Sequence, residues 1–486
     1  MPPLNRRDFL RAGLAGSLVL STTLRSSPPG AVTTPRGAPS RHAKNIIVLV
    51  SDGMSLGTLT LAERYLRTHH DRGTHWLGLY ARPDIRRVLM DTTSANSLVT
   101  DSAAASSAWG CGHKVNNGAI NVTPDGVART PIFQLARESG RATGLVSTAT
   151  ITHATPAGFA ANSPSRREEE TIASQYLERQ IDVLLGGGAK FFDPAKRADR
   201  RDLFADFASA GYHLARDLAS LRAAPTDGRL LGVFTDGYLP YALDHRADPA
   251  LAATVPGLPD MTAVALKRLA AHPGGFVLQV EAARVDHAAH ANDIGGLLHD
   301  QLAFDEAVGV ALAFAAGRDD TLVIVTTDHG NANPGLNASG GNVDSRGTHY
   351  GDTGKCFARL ADLRQTNSWI VDGLSADSTH DQICSRVAAG TGIDLVEDEL
   401  ELLSRALRKD PAPREGYRVR NNATVTLGQL LANYTSVGWT GTQHTTDHVE
   451  LAALGPGSES LGGLIQNTAL FHVMANALGA TVPAST

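Results

Sequence analysis

From residue 45 onward the chain alternates between two hydrophobic patterns. Short, nearly unbroken apolar runs occur at 46–50, 143–147, 181–185, 231–234, 276–280 and 321–326. A run with no polar alternation is what a strand buried on both faces looks like. Stretches of helical period fall between these runs, at 131–139 (opened by Pro131), 260–271 and 295–316. Repeated βα units of this kind predict an α/β fold in which a central, largely parallel β-sheet is sandwiched between helices.

Two regions break the alternation. The stretch from about 331 to 440 opens on Gly- and Asn-rich sequence at 337–342 and continues into charge-dense helical sequence at 397–408. It reads as a cap or insertion over strand ends, inside one catalytic domain spanning 43–486. Strand character returns at 449–454, and a helix closes the chain at 468–478. The first 42 residues have a different character. Asn5-Arg6-Arg7-Asp8-Phe9-Leu10 precedes a mildly apolar run at 14–20, and residues 26–40 are rich in Pro, Ser and Gly. Paired arginines followed by Phe-Leu resemble a twin-arginine export signal joined to a flexible spacer, which would carry the protein to the periplasm or beyond. That run is too short for a permanent membrane span, and no later run reaches the ~18 residues one needs.

Composition narrows the function classes. With 42% hydrophobic and 19% charged residues the chain is an ordinary soluble globular protein. A net charge of −5, without a basic stripe, gives no footprint for nucleic acid. Cys111, Cys356 and Cys384 allow at most one internal pair, so there is no disulfide framework.

The chemistry is concentrated after the apolar runs, where five strand ends deliver polar residues. Val280–His290 reads VEAARVDHAAH and offers Glu281, Asp286 and His290, while TTDHG offers Asp328 and His329. Ligands of an open parallel sheet gather at the carboxyl ends of its strands. Carboxylates converging there repel one another unless cations are present. Imidazoles among them favour Zn²⁺, whereas Mg²⁺ prefers oxygen. Asp52 follows the first strand in Ser51-Asp52-Gly53-Met54. Ser102 stands in Thr100-Asp101-Ser102-Ala103-Ala104-Ala105, where small residues let a helix begin and its N–H groups face an anion. There is no Gly-x-Ser-x-Gly elbow, so a nucleophilic Ser102 needs a metal to lower its pKa; otherwise it simply caps the helix. Thr152-His153-Ala154-Thr155 precedes Arg166-Arg167, and a guanidinium holds two phosphate oxygens at once. Near the end, Gln443-His444-Thr445-Thr446-Asp447-His448 supplies two further histidines, either of which completes a tetrahedral zinc set with Asp286 and His290.

Taken in order, SDGM, TDSAAA with CGHKVNNG, THATPA, VEAARVDHAAH, TTDHG and HTTDHVELAALGPG resemble the alkaline phosphatases, over about residues 45 to 475. The resemblance implies hydrolysis of phosphate monoesters through a phosphoserine, by two successive in-line displacements. It implies two Zn²⁺ and one Mg²⁺ per subunit, a broad range of small-molecule substrates, and a homodimer. Position by position, Ser102 matches the nucleophile and Arg166 the phosphate clamp, with Arg167 beside it leaving a choice of one residue. Asp286, His290 and His444 match one zinc site, with His444 favoured over His448 by its spacing to Gly455-Pro456. Asp52, Asp328 and His329 match the other, and Asp52, Thr155 and Glu281 the magnesium shell.

Three positions depart from part of the family. His153 and His287 stand where some bacterial members carry Asp and Lys, which implies a weaker hold on magnesium and room for zinc or cobalt. Asn331 stands where some members carry histidine. Two rivals remain at this stage: a phosphodiesterase or sulfatase on the same fold, and an exported metal- or phosphate-binding protein without catalysis. A sulfatase of the modified-cysteine type needs Cys-x-Pro-x-Arg, and Cys111 is instead followed by Gly-His-Lys-Val.

Overall fold

Successive residues of the first strand bury into two different cores: Ile47 and Leu49 into one, Ile46, Val48 and Val50 into the other. A strand with apolar neighbours on both faces has no use for polar alternation, which explains its sequence. A computed structural model describes residues 42–338, 353–410 and 422–482. The arginine pair and the spacer, and most of 337–342, lie outside the described residues.

Ten strands form the main sheet: β1 (Asn45–Ser51), β2 (Arg86–Asp91), β3 (Ala142–Thr150), β4 (Val183–Gly187), β5 (Tyr212–Ala215), β6 (Arg229–Val233), β7 (Phe276–Ala282), β8 (Thr321–Thr326), β9 (Val449–Leu454) and β10 (Leu464–Gln466). Their order is β10-β2-β9-β8-β1-β7-β3-β4-β6-β5. Only β9 runs antiparallel to its neighbours, β8 and β2. The sheet is therefore largely parallel, as the alternation predicted. Its helices of interest are α1 (Leu56–His69), α2 (Ser102–Cys111), α3 (Ala154–Ala160), α4 (Leu258–Leu269), α5 (Arg284–His290), α6 (Ile294–Ala315) and α7 (Ala469–Leu478). Residues of α1, α4 and α6 line one core, and those of α2, α3 and α7 the other.

The register of the central strands sets the site. Val50 of β1 pairs with Glu281 of β7 and Thr326 of β8, and Ser147 of β3 also pairs with Glu281. The carboxyl ends of β8, β1, β7 and β3 therefore lie level and side by side. On that edge α2 meets α3 closely, which is why both are built from small residues. A Cβ on Gly110 would stand 2.0 Å from the Gly158 carbonyl oxygen, far inside contact distance. The helices between 353 and 435 bury a separate cluster that includes Ile370, Ile383, Leu403 and Leu427. Two-residue ribbons connect this region to the sheet: Gly335–Leu336 pairs with Val437–Gly438, and His444–Thr445 with Gly330–Asn331. Cys111, Cys356 and Cys384 are unpaired. Among the described residues no helix is long and apolar enough to cross a membrane.

Candidate active site

Three groups of side chains meet at the carboxyl edge. Each offers ligand atoms within 4.8 Å of one another: Asp286, His290 and His444; Asp52, Asp328 and His329; and Asp52, His153 and Glu281. Asp52 directly follows β1, Glu281 lies near the end of β7, and Asp328 and His329 follow β8. Asp286 and His290 lie four residues apart on α5, hence on one face of the helix. His153 precedes α3, and Thr155 sits in its first turn.

Two of the expected residues do not come from strand ends. His444 arrives on the ribbon that pairs it with Asn331. Ser102 opens α2 after a loop that separates it from β2, so the expectation of five strand ends holds for four of the segments. Nor does Ser102 cap its helix: Asp101 does, its Oδ1 accepting from the Ala104 N–H at 2.9 Å. The Ser102 side chain is thereby left to face the ligands, with Oγ 3.3 Å from His329 Nε2.

In the first group both imidazoles are oriented by backbone carbonyls. His290 Nδ1 lies 2.7 Å from the Thr442 oxygen and His444 Nδ1 lies 2.9 Å from the Thr100 oxygen. A carbonyl only accepts, so each Nδ1 carries the proton and each Nε2 directs a lone pair inward. Those two Nε2 atoms stand 3.1 Å apart, and 3.3 and 3.5 Å from the carboxylate of Asp286. Lone pairs converging in this way require a proton or a cation between them. In the second group His329 Nε2 is 3.2 Å from Asp328 and 3.6 Å from Asp52. The His329 and His444 rings stack at 3.7 Å, placing the two groups side by side.

Electrostatics point the same way. Burial, reinforced by the charges of Asp328 and Asp286, raises the Asp52 pKa well above its usual value. Burial pushes Glu281 up to about 7 and Asp328 to about 6. Burial also lowers His329 and His153 well below the usual imidazole value, keeping both rings neutral, the form that binds metal. Both carboxylate oxygens of Asp52, with Asp328 Oδ2, Glu281 Oε1, Thr155 Oγ1 and His153 Nδ1, are buried without a hydrogen-bond partner. Leaving so many polar atoms unsatisfied in one place is costly, and divalent cations satisfy them together. The residues present therefore fit a cluster of metal ions.

Gly53 makes the convergence possible. Its φ of +65° is left-handed, and a Cβ there would stand 2.4 Å from Asp286 Oδ1. Its N–H donates to Asp328 Oδ1 at 3.0 Å. Arg166, not Arg167, points its guanidinium inward: Nη1 lies 3.1 Å from Asp101 Oδ2 and Nη2 lies 2.9 Å from His153 Nε2. Arg167 is exposed. His448 is exposed too, whereas His444 gathers its ligand atom with those of Asp286 and His290.

Some supporting residues escaped the sequence reading. Asp101 both caps α2 and holds Arg166, and an acidic residue just before a helix start was the available signal. Ser147 donates to Glu281 Oε2 at 2.5 Å. Arg284 donates to His287 Nδ1 at 2.9 Å. Burial and the Arg284 charge hold the His287 pKa down to about 3.

The sequence profile described as alkaline phosphatase matches residues 43–480. Alkaline phosphatase 3 of Bacillus subtilis is 30% identical over 475 residues, covering 95% of each chain. Streptomycin-6-phosphate phosphatase of Streptomyces griseus is 33% identical over 386 residues, covering 67% of this chain and 82% of that one. The crystal structure of Thermus thermophilus alkaline phosphatase superposes with a TM-score of 0.84 at 38% identity, over 95% of this chain and 96% of that one.

Proposed function

The chain belongs to the alkaline phosphatase family and hydrolyses phosphate monoesters, and we propose that Ser102 is the nucleophile that carries the phosphoryl group between two in-line displacements. The supporting observation is that the Ser102 hydroxyl lies 3.3 Å from His329 Nε2, inside the convergence of Asp52, Asp328 and His329. In the first displacement Oγ bonds to phosphorus as the alcohol departs. In the second, water attacks phosphorus from the side the alcohol has vacated, and Ser102 is released with inorganic phosphate.

The chain's own groups position the phosphoryl unit. The N–H groups of Ser102 and Ala103 precede the first intrahelical bond of α2 and face an anion with the positive end of the helix dipole. Arg166, steadied by Asp101, presents a planar fork to two phosphoryl oxygens. Preorganised donors of this kind carry most of the catalysis in phosphoryl transfer.

Asp286, His290 and His444 would hold one Zn²⁺, and Asp52, Asp328 and His329 a second. Asp52, Thr155 and Glu281, with His153, would hold a third ion, for which Mg²⁺ is the family's choice and zinc or cobalt suits the imidazole. When bound, these ions supply the charge that favours a serine alkoxide and stabilises the departing oxygen.

The region from about 331 to 440 serves in this reading as a cap on the catalytic domain, 43–486. Export through the arginine pair and assembly as a homodimer complete the proposal. For the dimer face, Leu56, Leu89 and Leu464 are 65%, 47% and 58% exposed, and Leu89 pairs with Leu464 on β2 and β10.

Parallel assays on p-nitrophenyl phosphate and bis-p-nitrophenyl phosphate test the reading. The monoester should be strongly preferred, its turnover lost on chelation and restored by zinc. Preference for the diester, or turnover indifferent to chelation, would contradict it.

A further inference from the structure

The alcohol half of a substrate has to extend from the phosphoryl site towards solvent. Asp52, Asp328 and His329 are fully buried and Ser102 nearly so. The side chains of Arg166 (24%) and His290 (34%) are partly exposed, and Tyr238 as a whole is 45% exposed. No step described above uses Tyr238.

This residue lies on the loop after β6, and its ring is part of a wall that starts at the phosphate clamp. Arg166 touches His153 at 2.9 Å, and the Tyr238 ring stands 6.1 Å from that of His153. It lies 4.5 Å from the His287 ring, tilted by 34°. The Arg284 guanidinium stands 5.5 Å from the Tyr238 ring and 3.5 Å from that of Tyr241. The loop backbone is fixed: Thr235 Oγ1 donates to the Gly237 and Tyr238 oxygens at 3.0 and 3.2 Å, and the Leu239 N–H to the Thr148 oxygen at 3.0 Å. A half-exposed ring on a rigid loop presents its apolar surface without a conformational cost on binding.

We infer that Tyr238, backed by His287 and Arg284, is a stacking platform for the alcohol half of the substrate, and that the enzyme prefers phosphate monoesters of phenols and other planar aromatic alcohols to those of aliphatic ones. The inference rests on the placement of the phosphoryl group between Ser102 and Arg166. The rival role for Tyr238 is to hold His287 in place, and that role would affect all substrates alike.

The test is kcat/KM for phenyl phosphate and glycerol phosphate in the native enzyme, Tyr238→Leu, Tyr238→Phe and Ser102→Ala. Tyr238→Leu should lower the phenyl-to-glycerol ratio by about fivefold to tenfold, the upper part of the range of an aromatic contact, while Tyr238→Phe keeps it within about twofold. An unchanged ratio in Tyr238→Leu, or an equal loss on both substrates, overturns the platform; so does a Tyr238→Phe ratio as low as that of Tyr238→Leu. Native enzyme gives an independent reading, since phenylphosphonate should inhibit more tightly than ethylphosphonate and the reverse order counts against the platform. If Ser102→Ala still turns over both esters, the catalytic assignment fails and the platform with it. If Ser102→Ala is inactive and the ratio does not respond to Tyr238→Leu, only the platform falls.

Discussion

Asn331 Nδ2 donates to Asp286 Oδ1 at 2.7 Å and to the Asp286 backbone oxygen at 3.2 Å. A neutral amide thus orients the carboxylate of the outer metal group, and its own Oδ1 stays buried without a partner. Partners that orient metal ligands typically contribute about 10–100-fold in affinity. Asn331→Ala should therefore weaken zinc by that order while leaving the fold intact. Competition with a graded chelator measures the effect; unchanged affinity would show that Asp286 needs no such support.

Metal binding and pH should be coupled in a defined direction. Asp52, Glu281 and Asp328 all have pKa values raised by burial, the last two to about 7 and about 6. Without metal the folded chain keeps protons that the unfolded chain has released above about pH 4. The stability from these groups is full below that pH and is lost as pH rises through about 6 to 7. Asp293 and Asp300, each raised to about 7 by burial, act in the same direction. Asp286 moves oppositely: burial raises it, but the hydrogen bond and charge of His290 prevail, so its transition lies below this window. His153, His287, His299 and His329 also oppose the acids: burial lowers their pKa values, so the stability from keeping them neutral grows as pH rises to about 6.5. Thermal unfolding in excess chelator should give a Tm that falls between about pH 6.5 and pH 8, where the histidines are neutral in both states and only the raised acids still titrate. Zinc should flatten or reverse that slope, because binding displaces the same protons. A chelated protein whose Tm rises across the window would contradict the raised values.

Gly53→Ala should be harmful beyond its size. The left-handed backbone costs a non-glycine residue ~1–2 kcal/mol, and the new methyl would press on Asp286 Oδ1 from 2.4 Å. Both zinc occupancy, measured by elemental analysis after dialysis, and Tm should drop. Full zinc content with a native Tm would mean that the turn has room not visible in the structure.

Arg166→Lys and Arg167→Lys should part company. The first exchanges a planar fork for a point charge and should lower kcat/KM roughly 10–100-fold, equivalent to one charge-assisted hydrogen bond of about 1.5–3 kcal/mol. Arg167 is exposed and should tolerate the change. Equal effects would leave the clamp unassigned.

The sequence was most legible where burial was most complete. β1, β3, β7 and β8 are buried at every position, so each showed as a continuous apolar run. The strands it did not reveal, β2, β5 and β10, each expose some of their positions, and β5 and β10 are also short. β4 was placed two residues early because Gly186 and Gly187 look like a stop. They continue the strand because the space beside it is filled: a Cβ on Gly187 would meet the Gly237 oxygen at 2.1 Å. Of the site, the metal-ligand types and their order could be read directly from the motifs. The choice between Arg166 and Arg167 could not, since it depends on Asp101, the N-cap of α2, reaching the guanidinium. Nor could Tyr238, whose neighbours His153 and His287 come from distant segments.

The central claim is that one hydroxyl, that of Ser102, receives the phosphoryl group. Incubation with ³²P-labelled inorganic phosphate at acidic pH, followed by denaturation and peptide mapping, examines it directly. The native enzyme should retain label on the peptide containing Ser102, and Ser102→Ala should retain none. Label persisting in Ser102→Ala, or mapping to another residue in the native enzyme, would contradict the account.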